Sequence, residues 1–459
     1  MSHTNASPRQ PNIVVITCHD LGRFLGCYGV PTVSTPNLDR LAADGVRFSN
    51  AFCAAPQCSP SRASLFTGRH PHNHGVMGLT HGAFNWELRP EEQHLAQLLR
   101  GAGYTTAVIG INHESQDARR CGYDEVLPPG RGESVSEQAV AKLKTLASSQ
   151  QPFFMHLGYR EPHRLPNPNE RDYMGFVGDY ITPDDERGVT IPSYLQDTSL
   201  AQAEVAELQG AVRYLDTAVG RVLDALDESG LAHDTLVIFT TDHGLAFPRA
   251  KCSLYDPGLE IALIMRLPQR GWSGGRTISS LISNIDIIPT VLELAGIPAP
   301  ESIQGKCLTP LLDQDTASVR DYIFGEMTYH NYYDPQRCIR TDRYKLIVNF
   351  STAPSFMDPS QSWRPRTSPV VPEDPATAYH PTIELYDLNV DPLEHRNLAR
   401  DPVVTETRHE LLGQLAAWMR SSDDPLLDGA VSSPAHCAAV ATLTQAGHPL
   451  DAGEAEGTT

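Results

Sequence analysis

The chain has 459 residues, with 36 Lys or Arg against 55 Asp or Glu, so its formal net charge at pH 7 is -19. We expect neither nucleic acid nor an anionic membrane as a partner, because such surfaces repel an acidic protein. The length allows one large domain with a smaller appendage.

The cysteines and the first residues bear on the compartment. No apolar run precedes Pro11, which predicts that there is no secretory signal, and no run of about 18 apolar residues indicates a membrane span. The nine cysteines are an odd number without a Cys-x-x-Cys pair, a pattern that favours reduced thiols. We therefore expect a cytoplasmic protein.

Four short apolar runs predict buried parallel strands, each followed by polar residues: 12–17, 107–110, 152–157 and 234–241. Helices are expected to begin at Pro36, with Thr35 as N-cap, and near Cys58. Apolar residues recur at helical spacing between 212 and 226. Strands alternating with helices predict an α/β fold, in which helices cover both faces of a mostly parallel sheet and the active site lies at the carboxyl ends of the strands.

The pattern changes after about residue 345. Residues 351–381 are rich in Pro, Ser and Thr, which predicts a long irregular excursion over the active-site mouth. A strand at 384–388 and a helix at 403–419 follow. We expect a catalytic domain, a smaller C-terminal α+β subdomain with an antiparallel sheet and a helix, and a flexible tail, at residues 1–345, 346–428 and 429–459.

The segment Cys58-Ser59-Pro60-Ser61-Arg62 fits the pattern Cys-x-Pro-x-Arg and opens a predicted helix. The first free N–H groups of such a helix point toward an anion. The alternative is a small buried hydrophobic residue beside a proline turn, since free cysteines are usually buried and inert and short motifs recur by chance.

These segments together resemble the type I, formylglycine-dependent sulfatases of the alkaline-phosphatase-like superfamily. The family motifs occur in order as Pro-Asn-Ile-Val, Thr-Pro-Asn-Leu-Asp-Arg-Leu, Cys-x-Pro-Ser-Arg, Asp-Thr-Leu-Val-Ile-Phe-Thr-x-Asp and Glu-Leu-Tyr-Asp-Leu, and the resemblance spans about residues 11–425. Phe247-Pro248 and residues 254–258 are most similar to the branch of the heparan N-sulfatases.

The resemblance implies that a maturase oxidises Cys58 to formylglycine. One hydroxyl of the hydrated aldehyde attacks sulfur and the other later expels sulfate. It also implies one divalent cation per subunit, usually calcium, held by the modified Cys58 and by the residues that match the other ligand positions: His19, Asp20, Asp242 and His243.

His19 and His243 depart from the Asp and Asn that the family has at these positions. Imidazole nitrogen suits manganese, iron or zinc better than calcium. The ion is therefore expected to be either the Ca²⁺ that the resemblance implies or Mn²⁺, which the histidines favour. The alternative for each histidine is a hydrogen-bond donor outside the coordination sphere or a solvated strand end.

Cationic groups for the sulfuryl oxygens and a proton donor for the leaving group are implied at His113, His163 and Lys251. Arg62 is expected to hold the modified loop, a role that a structural ion pair fits equally. Ile111 stands where the family has a lysine, which weakens the expected binding of sulfate.

We therefore predict a sulfatase that cleaves a sulfate ester or sulfamate of a saccharide. The rival hypotheses are a phosphonate or phosphate ester hydrolase of the same superfamily and a catalytically weak carbohydrate-binding relative. A homo-oligomer is left open. His70, His72 and His74 are interpreted mostly as surface groups or as hydrogen-bonding groups outside a coordination sphere. The aromatic cluster at 329–333 either stacks on a sugar or packs in the core.

Overall fold

The structure is a computed structural model that describes residues 10–166, 168, 174–314, 318–353 and 379–446. The strands in these residues are β1 (Asn12–Cys18), β2 (Val46–Phe48), β3 (Ala51–Phe52), β4 (Thr105–Gly110), β5 (Glu125–Leu127), β6 (Phe153–Gly158), β7 (Leu165–Pro166), β8 (Met174–Gly175), β9 (Thr235–Thr241), β10 (Leu263–Arg266), β11 (Arg276–Ile278), β12 (Ile282–Ser283), β13 (Tyr322–Tyr329), β14 (Tyr333–Thr341), β15 (Tyr344–Asn349) and β16 (Ile383–Asp387). The helices are α1 (Pro36–Asp44), α2 (Cys58–Thr67), α3 (Pro71–His74), α4 (Leu95–Gly101), α5 (Gly132–Leu146), α6 (Ser199–Glu228), α7 (Asp256–Leu259), α8 (Ile287–Leu294), α9 (Thr309–Asp313), α10 (Thr405–Ser421) and α11 (Pro434–Ala446).

The main sheet has eight strands in the order β11-β2-β10-β9-β1-β6-β4-β5. Only β10 runs antiparallel to its neighbours, so the predicted α/β fold with a mostly parallel sheet is confirmed. Side chains alternate between the two faces of each strand. Ile13 and Val15 of β1 therefore lie in one apolar core, and Val14 and Ile16 lie in the other, which α6 covers.

The four predicted strands are β1, β4, β6 and β9, and they run parallel at the centre of the sheet. Cys18 at the end of β1 pairs with Thr241 at the end of β9, and Gly110 of β4 pairs with Gly158 of β6. The polar residues after these strands therefore leave the sheet at one edge, as expected for an active site of this fold class.

Two helices begin as predicted, at Pro36 and Cys58. Thr35 is at the N-cap position of α1, but its hydroxyl accepts from the Gly26 amide and donates to Asp39 instead of capping the helix. Gln57 is the N-cap of α2, and every residue of α2 is buried. The start of α2 is therefore fixed by packing on all sides.

The second sheet consists of the antiparallel strands β13 to β16, and α10 packs on it through Leu411 and Leu415. Two of its strands, β13 and β14, precede residue 346, where the C-terminal subdomain is predicted to begin. Helix α11 lies inside the segment that is predicted to be a flexible tail. The division into domains stays a prediction. Most of the excursion predicted at 351–381 lies outside the described residues.

No helix in the described ranges combines the length and the apolar character that crossing a membrane requires.

The surface alternative for His70, His72 and His74 is wrong, because all three are buried on or beside the short helix α3. His72 Nδ1 lies 2.5 Å from Glu326 Oε2 of the second sheet. Arg337 Nε lies 3.2 Å from the same Glu326 oxygen and 2.5 Å from Asp424 Oδ2. This buried charge cluster joins α3 to the second sheet.

Arg337→Ala would leave the carboxylates of Glu326 and Asp424 buried without their main cation. We expect it to lower the free energy of unfolding, measured by urea denaturation, by about 3 to 5 kcal/mol. The control is Arg40→Ala, which removes an exposed pair at 2.6 Å from Asp224 and is expected to cost less than about 1 kcal/mol. Equal losses in the two variants would contradict the prediction.

Candidate active site

Cys58 is the first residue of α2 and is only 3% exposed. Its Sγ lies 3.4 Å from His243 Nε2 and 3.9 Å from Asp20 Oδ1. Burial raises the pKa of the thiol to about 12. An unmodified Cys58 is therefore a protonated thiol at neutral pH and a weak nucleophile.

Two buried carboxylates lie next to Cys58. The backbone amide of Asp20 donates to Asp242 Oδ1 at 2.9 Å, and both side chains have no exposed surface. Lys251 Nζ lies 3.0 Å from each carboxylate oxygen of Asp20. Burial alone would raise the pKa of Asp20, but Lys251, His163 and His243 together outweigh burial and lower it below its ordinary value. Asp20 is therefore ionised.

Arg62 connects α2 to the ends of two strands. Its Nε donates to Asp242 Oδ2 at 3.2 Å and its Nη1 donates to Thr17 Oγ1 at 3.0 Å, and its side chain is fully buried. The ion pair with Asp242 thus adds to the packing that fixes the start of α2, and a role of Arg62 in holding a modified loop stays a prediction.

The two histidines at predicted ligand positions face this cluster. His19 Nδ1 lies 3.1 Å from Asp242 Oδ2, yet neither ring nitrogen of His19 makes a hydrogen bond within the described residues. Burial, and then the Arg62 guanidinium, lowers the pKa of His19 to about 3. His243 Nδ1 lies 2.9 Å from the Gly244 carbonyl, so a proton on Nδ1 leaves the Nε2 lone pair for the cluster.

These side chains fit a divalent cation. Ligand atoms within 4.8 Å of one another form two sets that share two residues: His19, Asp20, Cys58 and His163, and Asp20, Cys58, Asp242 and His243. Ionised carboxylates and neutral imidazoles are suitable ligands, and this mixture of oxygen and nitrogen suits manganese, iron or zinc. Which of these residues bind the ion stays a prediction.

The structure brings the other predicted residues to the same place. The rings of His113 and His163 lie 4.9 and 5.3 Å from the ring of His19, and His163 Nε2 lies 3.7 Å from Asp20 Oδ2. The His163 side chain is 24% exposed, whereas Lys251 is 2% exposed. His163 therefore lies on the outer side of the cluster.

Ile111 directly follows β4 and is buried, with its amide donating to the Gly158 carbonyl at 2.8 Å. Its side chain brings no charge to the edge where the family lysine is expected. Within the described residues, the fixed cations that directly contact the two carboxylates are Arg62 and Lys251.

Sequence reasoning missed Glu114 and His81. Glu114 follows His113, is fully buried, and neither of its carboxylate oxygens has a hydrogen-bond partner among the described residues. Burial raises the pKa of Glu114 to about 7, although Arg62 opposes this. The exposed His81 has its ring 5.5 Å from that of His113. No local pattern identifies either residue, since both depend on how distant segments fold together.

Tyr329 and Tyr333 are engaged with the C-terminal segment. The Tyr329 hydroxyl donates to the Val431 carbonyl at 2.6 Å, and the Tyr333 hydroxyl accepts from the Val431 amide at 3.1 Å. The two rings also pack on each other at 4.8 Å. Of the two interpretations of these tyrosines, the structure therefore favours packing.

A mostly parallel sheet that carries carboxylates, histidines and a buried cysteine at its carboxyl edge defines a hydrolase of the alkaline-phosphatase-like class. A family model described as Sulfatase matches residues 11–297, and one described as N-sulphoglucosamine sulphohydrolase, C-terminal, matches residues 243–358. The chain belongs to the sulfatase family, which confirms the resemblance found in the sequence.

Similar proteins agree with this membership. The chain is 31% identical to N-sulphoglucosamine sulphohydrolase of Homo sapiens over 470 residues, which cover 92% of this chain and 91% of that protein. A solved structure of a putative sulfatase from Bacteroides fragilis has a TM-score of 0.71 at 21% identity and covers 94% of this chain and 100% of that one. A phosphonate monoester hydrolase from Silicibacter pomeroyi has a TM-score of 0.68 at 21% identity, with coverages of 90% and 96%. These two likenesses show the fold alone.

The raised pKa of Glu114 predicts a dependence of stability on pH. The native state holds the Glu114 proton up to a pKa of about 7 and the unfolded chain releases it near 4.5, so the free energy of unfolding falls as pH rises between them, by about 3 kcal/mol at most. We expect Glu114→Gln to be more stable than the parent at about pH 8 and similar to it at about pH 5.

Urea denaturation at the two pH values measures this difference. The control is Glu301→Gln at an exposed glutamate, which is expected to follow the parent at both. A pH dependence of the Glu114→Gln variant identical to that of the parent would show that Glu114 is not the group responsible.

Proposed function

We propose that this protein hydrolyses the sulfate ester or sulfamate of a carbohydrate, with Cys58 in the oxidised, formylglycine form. The observation that carries the proposal is the place of Cys58 at the start of α2, within 4 Å of Asp20 and His243. The high pKa of its thiol argues against an unmodified cysteine as nucleophile. The likeness to a sulphohydrolase over most of the chain supports the reaction class.

Modification of Cys58 requires a partner, which we propose to be a formylglycine-generating maturase. Pro60 and Arg62 complete the motif that such an enzyme reads, but every residue of α2 is buried in the folded protein. The motif is therefore accessible before folding and closed afterwards. The maturase is expected to act on the unfolded or nascent chain.

A divalent cation at Asp20, Asp242 and His243, with His19 beside them, would supply positive charge that favours ionisation of the nucleophile and stabilises the sulfuryl oxygens. Side chains of the cluster would bind the sulfuryl oxygens and hold the nucleophile in place. Lys251 donates to both carboxylate oxygens of Asp20, and Asp20 lies 3.9 Å from Cys58, so we assign to Lys251 a hydrogen bond to a sulfuryl oxygen as well. Arg62 fixes Asp242 and the start of α2.

We assign the leaving group to His163 and His113. Burial lowers the pKa of each imidazole, so both are neutral in the free protein. An anionic substrate at the cluster stabilises an imidazolium, so one of them takes up a proton on binding. That proton is then available to the departing oxygen or nitrogen.

A phosphonate or phosphate ester hydrolase is the second candidate. The Asp242-His243 pair favours it, because an Asp-His pair at this position departs from the sulfatase pattern and resembles the phosphonate monoester hydrolases. The segment around Lys251 and the match to the N-sulphoglucosamine sulphohydrolase model favour the sulfatase instead. A weakly catalytic binding protein is the third candidate, and it is motivated by Ile111 and His19, which both depart from the sulfatase pattern.

Turnover of 4-nitrophenyl sulfate against 4-nitrophenyl phosphate separates these candidates. We expect faster hydrolysis of the sulfate by protein made with a maturase, and a mass for the Cys58 peptide that corresponds to formylglycine. Cys58→Ala should lower sulfate turnover by about three orders of magnitude or more, because the nucleophile is lost. Cys437→Ala, at an exposed cysteine, is the control. Full turnover in Cys58→Ala would refute the mechanism.

Removal of one carboxylate tests the metal site. Asp242→Asn keeps the shape of the side chain and one of its two acceptor oxygens but removes a charge beside a dication, so bound metal and activity should fall together. Elemental analysis measures the metal, with Asp224→Asn at an exposed aspartate as control. We also expect Mn²⁺ to restore activity to stripped protein at least as well as Ca²⁺, since His243 supplies nitrogen. Unchanged metal content in Asp242→Asn would place the ion elsewhere.

A further inference from the structure

The loop between Leu79 and Trp86 is held at both ends, and at one of them it contacts the active site. The Trp86 amide donates to the Leu79 carbonyl at 3.2 Å, and the Trp86 ring packs 5.3 Å from that of Tyr329. At the other end, the Thr80 hydroxyl donates to the His113 carbonyl at 3.0 Å and lies 3.3 Å from the Ser59 hydroxyl. The loop is therefore held to the residue after Cys58 and to His113 itself.

The tip of this loop carries two aromatic side chains that reach solvent. His81 is exposed and Phe84 is half-buried, with its inner part packed against the apolar cluster that contains Trp86. Gly82 and Asn85 have φ values of 60° and 54°, which turn the chain back on itself. The tip is therefore a defined turn that presents both rings on one supported surface.

These rings continue the row of imidazoles in the active site. The ring of His113 lies 4.9 Å from that of His19 and 5.5 Å from that of His81, and the ring of His81 lies 5.8 Å from that of Phe84. Burial and then the Lys251 ammonium lower the pKa of His81, so its imidazole is neutral. The row leads from the ligand cluster to the surface.

The chemistry of the tip matches a sugar ring. Neither ring nitrogen of His81 has a hydrogen-bond partner among the described residues, and a neutral imidazole offers one donor and one acceptor, as a pair of hydroxyl groups requires. The face of Phe84 offers an apolar surface to the C–H groups of a pyranose. Because His113 lies between His81 and the cluster, a group that leaves beside His113 departs toward the loop.

We infer that His81 and Phe84 form the subsite for the leaving group, where they bind the pyranose that carries the sulfate or sulfamate. This inference rests on the proposed function and adds where its sugar binds: the ring of the sulfated unit lies on the 79–86 loop. The two residues determine specificity and do not touch the reacting atoms. Small aryl sulfates share the reacting group and lack the hydroxyls that His81 binds.

The test compares kcat/KM for N-sulfo-D-glucosamine and 4-nitrophenyl sulfate in His81→Ala and Phe84→Ala. We expect each variant to lower the ratio of the sugar value to the aryl value by roughly ten-fold, because contacts to the sugar alone are lost. His81→Gln keeps a donor and an acceptor and should retain more of the ratio than His81→Ala. The control is His233→Ala, whose exposed histidine lies just before β9, at the opposite end of that strand from the active site.

Equal losses on both substrates, or no loss on either, would overturn the inference. Wild-type turnover of the aryl sulfate but not of the sugar would also overturn it and leave the proposed function intact. If the wild type hydrolyses neither, the proposed function fails. Calorimetric binding of N-sulfo-D-glucosamine then decides the inference by itself, since binding that is as tight in His81→Ala and Phe84→Ala as in the wild type excludes the subsite.

Discussion

The buried ion pairs of Asp20 and Asp242 determine the arrangement of the active site. Two carboxylates without exposed surface are stable only when cations are placed beside them, and each cation here comes from a different segment. Arg62 brings the start of α2 to Asp242, and Lys251 brings the segment after β9 to Asp20. The position of Cys58 next to Asp20 follows from the first of these pairs, because Arg62 lies one turn further along the same helix.

The same pairs set the charge that the site offers to a substrate. The two carboxylates and the two cations cancel, since burial keeps His19 and His243 neutral. A bound divalent cation would therefore give the site a net charge of two. One ionised nucleophile oxygen and one singly charged sulfate ester would balance that charge. A phosphate monoester carries closer to two negative charges at neutral pH. A lysine in place of Ile111 would add a positive charge, so the isoleucine favours the substrate of lower charge.

The sequence allowed prediction where the signal is local or tied to a motif. The strand before His19 and the strand before Asp242 are runs of β-branched and apolar residues, and parallel strands bring their carboxyl ends together whatever the rest of the chain does. The burial of His72 could not be predicted, because its partner Glu326 is 254 residues away. Glu114 is another such case, because only the folded environment distinguishes a buried acid with a raised pKa from a solvated one.

Exposure changes steadily along the path into the site, and this gradient constrains which substrates fit. Cys58 and Lys251 are only 3% and 2% exposed. His163 is 24% exposed, and His81 belongs to the exposed residues. A substrate must therefore enter with its sulfur first, and the part that carries the sulfate stays at the rim. The buried cations offset the desolvation cost of the sulfuryl group, whereas the exposed 79–86 loop recognises the sugar that carries the sulfate. Different residues thus carry out the chemistry and select the sugar. A substitution in the exposed loop therefore changes which sulfated sugar is bound and leaves the buried cluster that cleaves the sulfate intact.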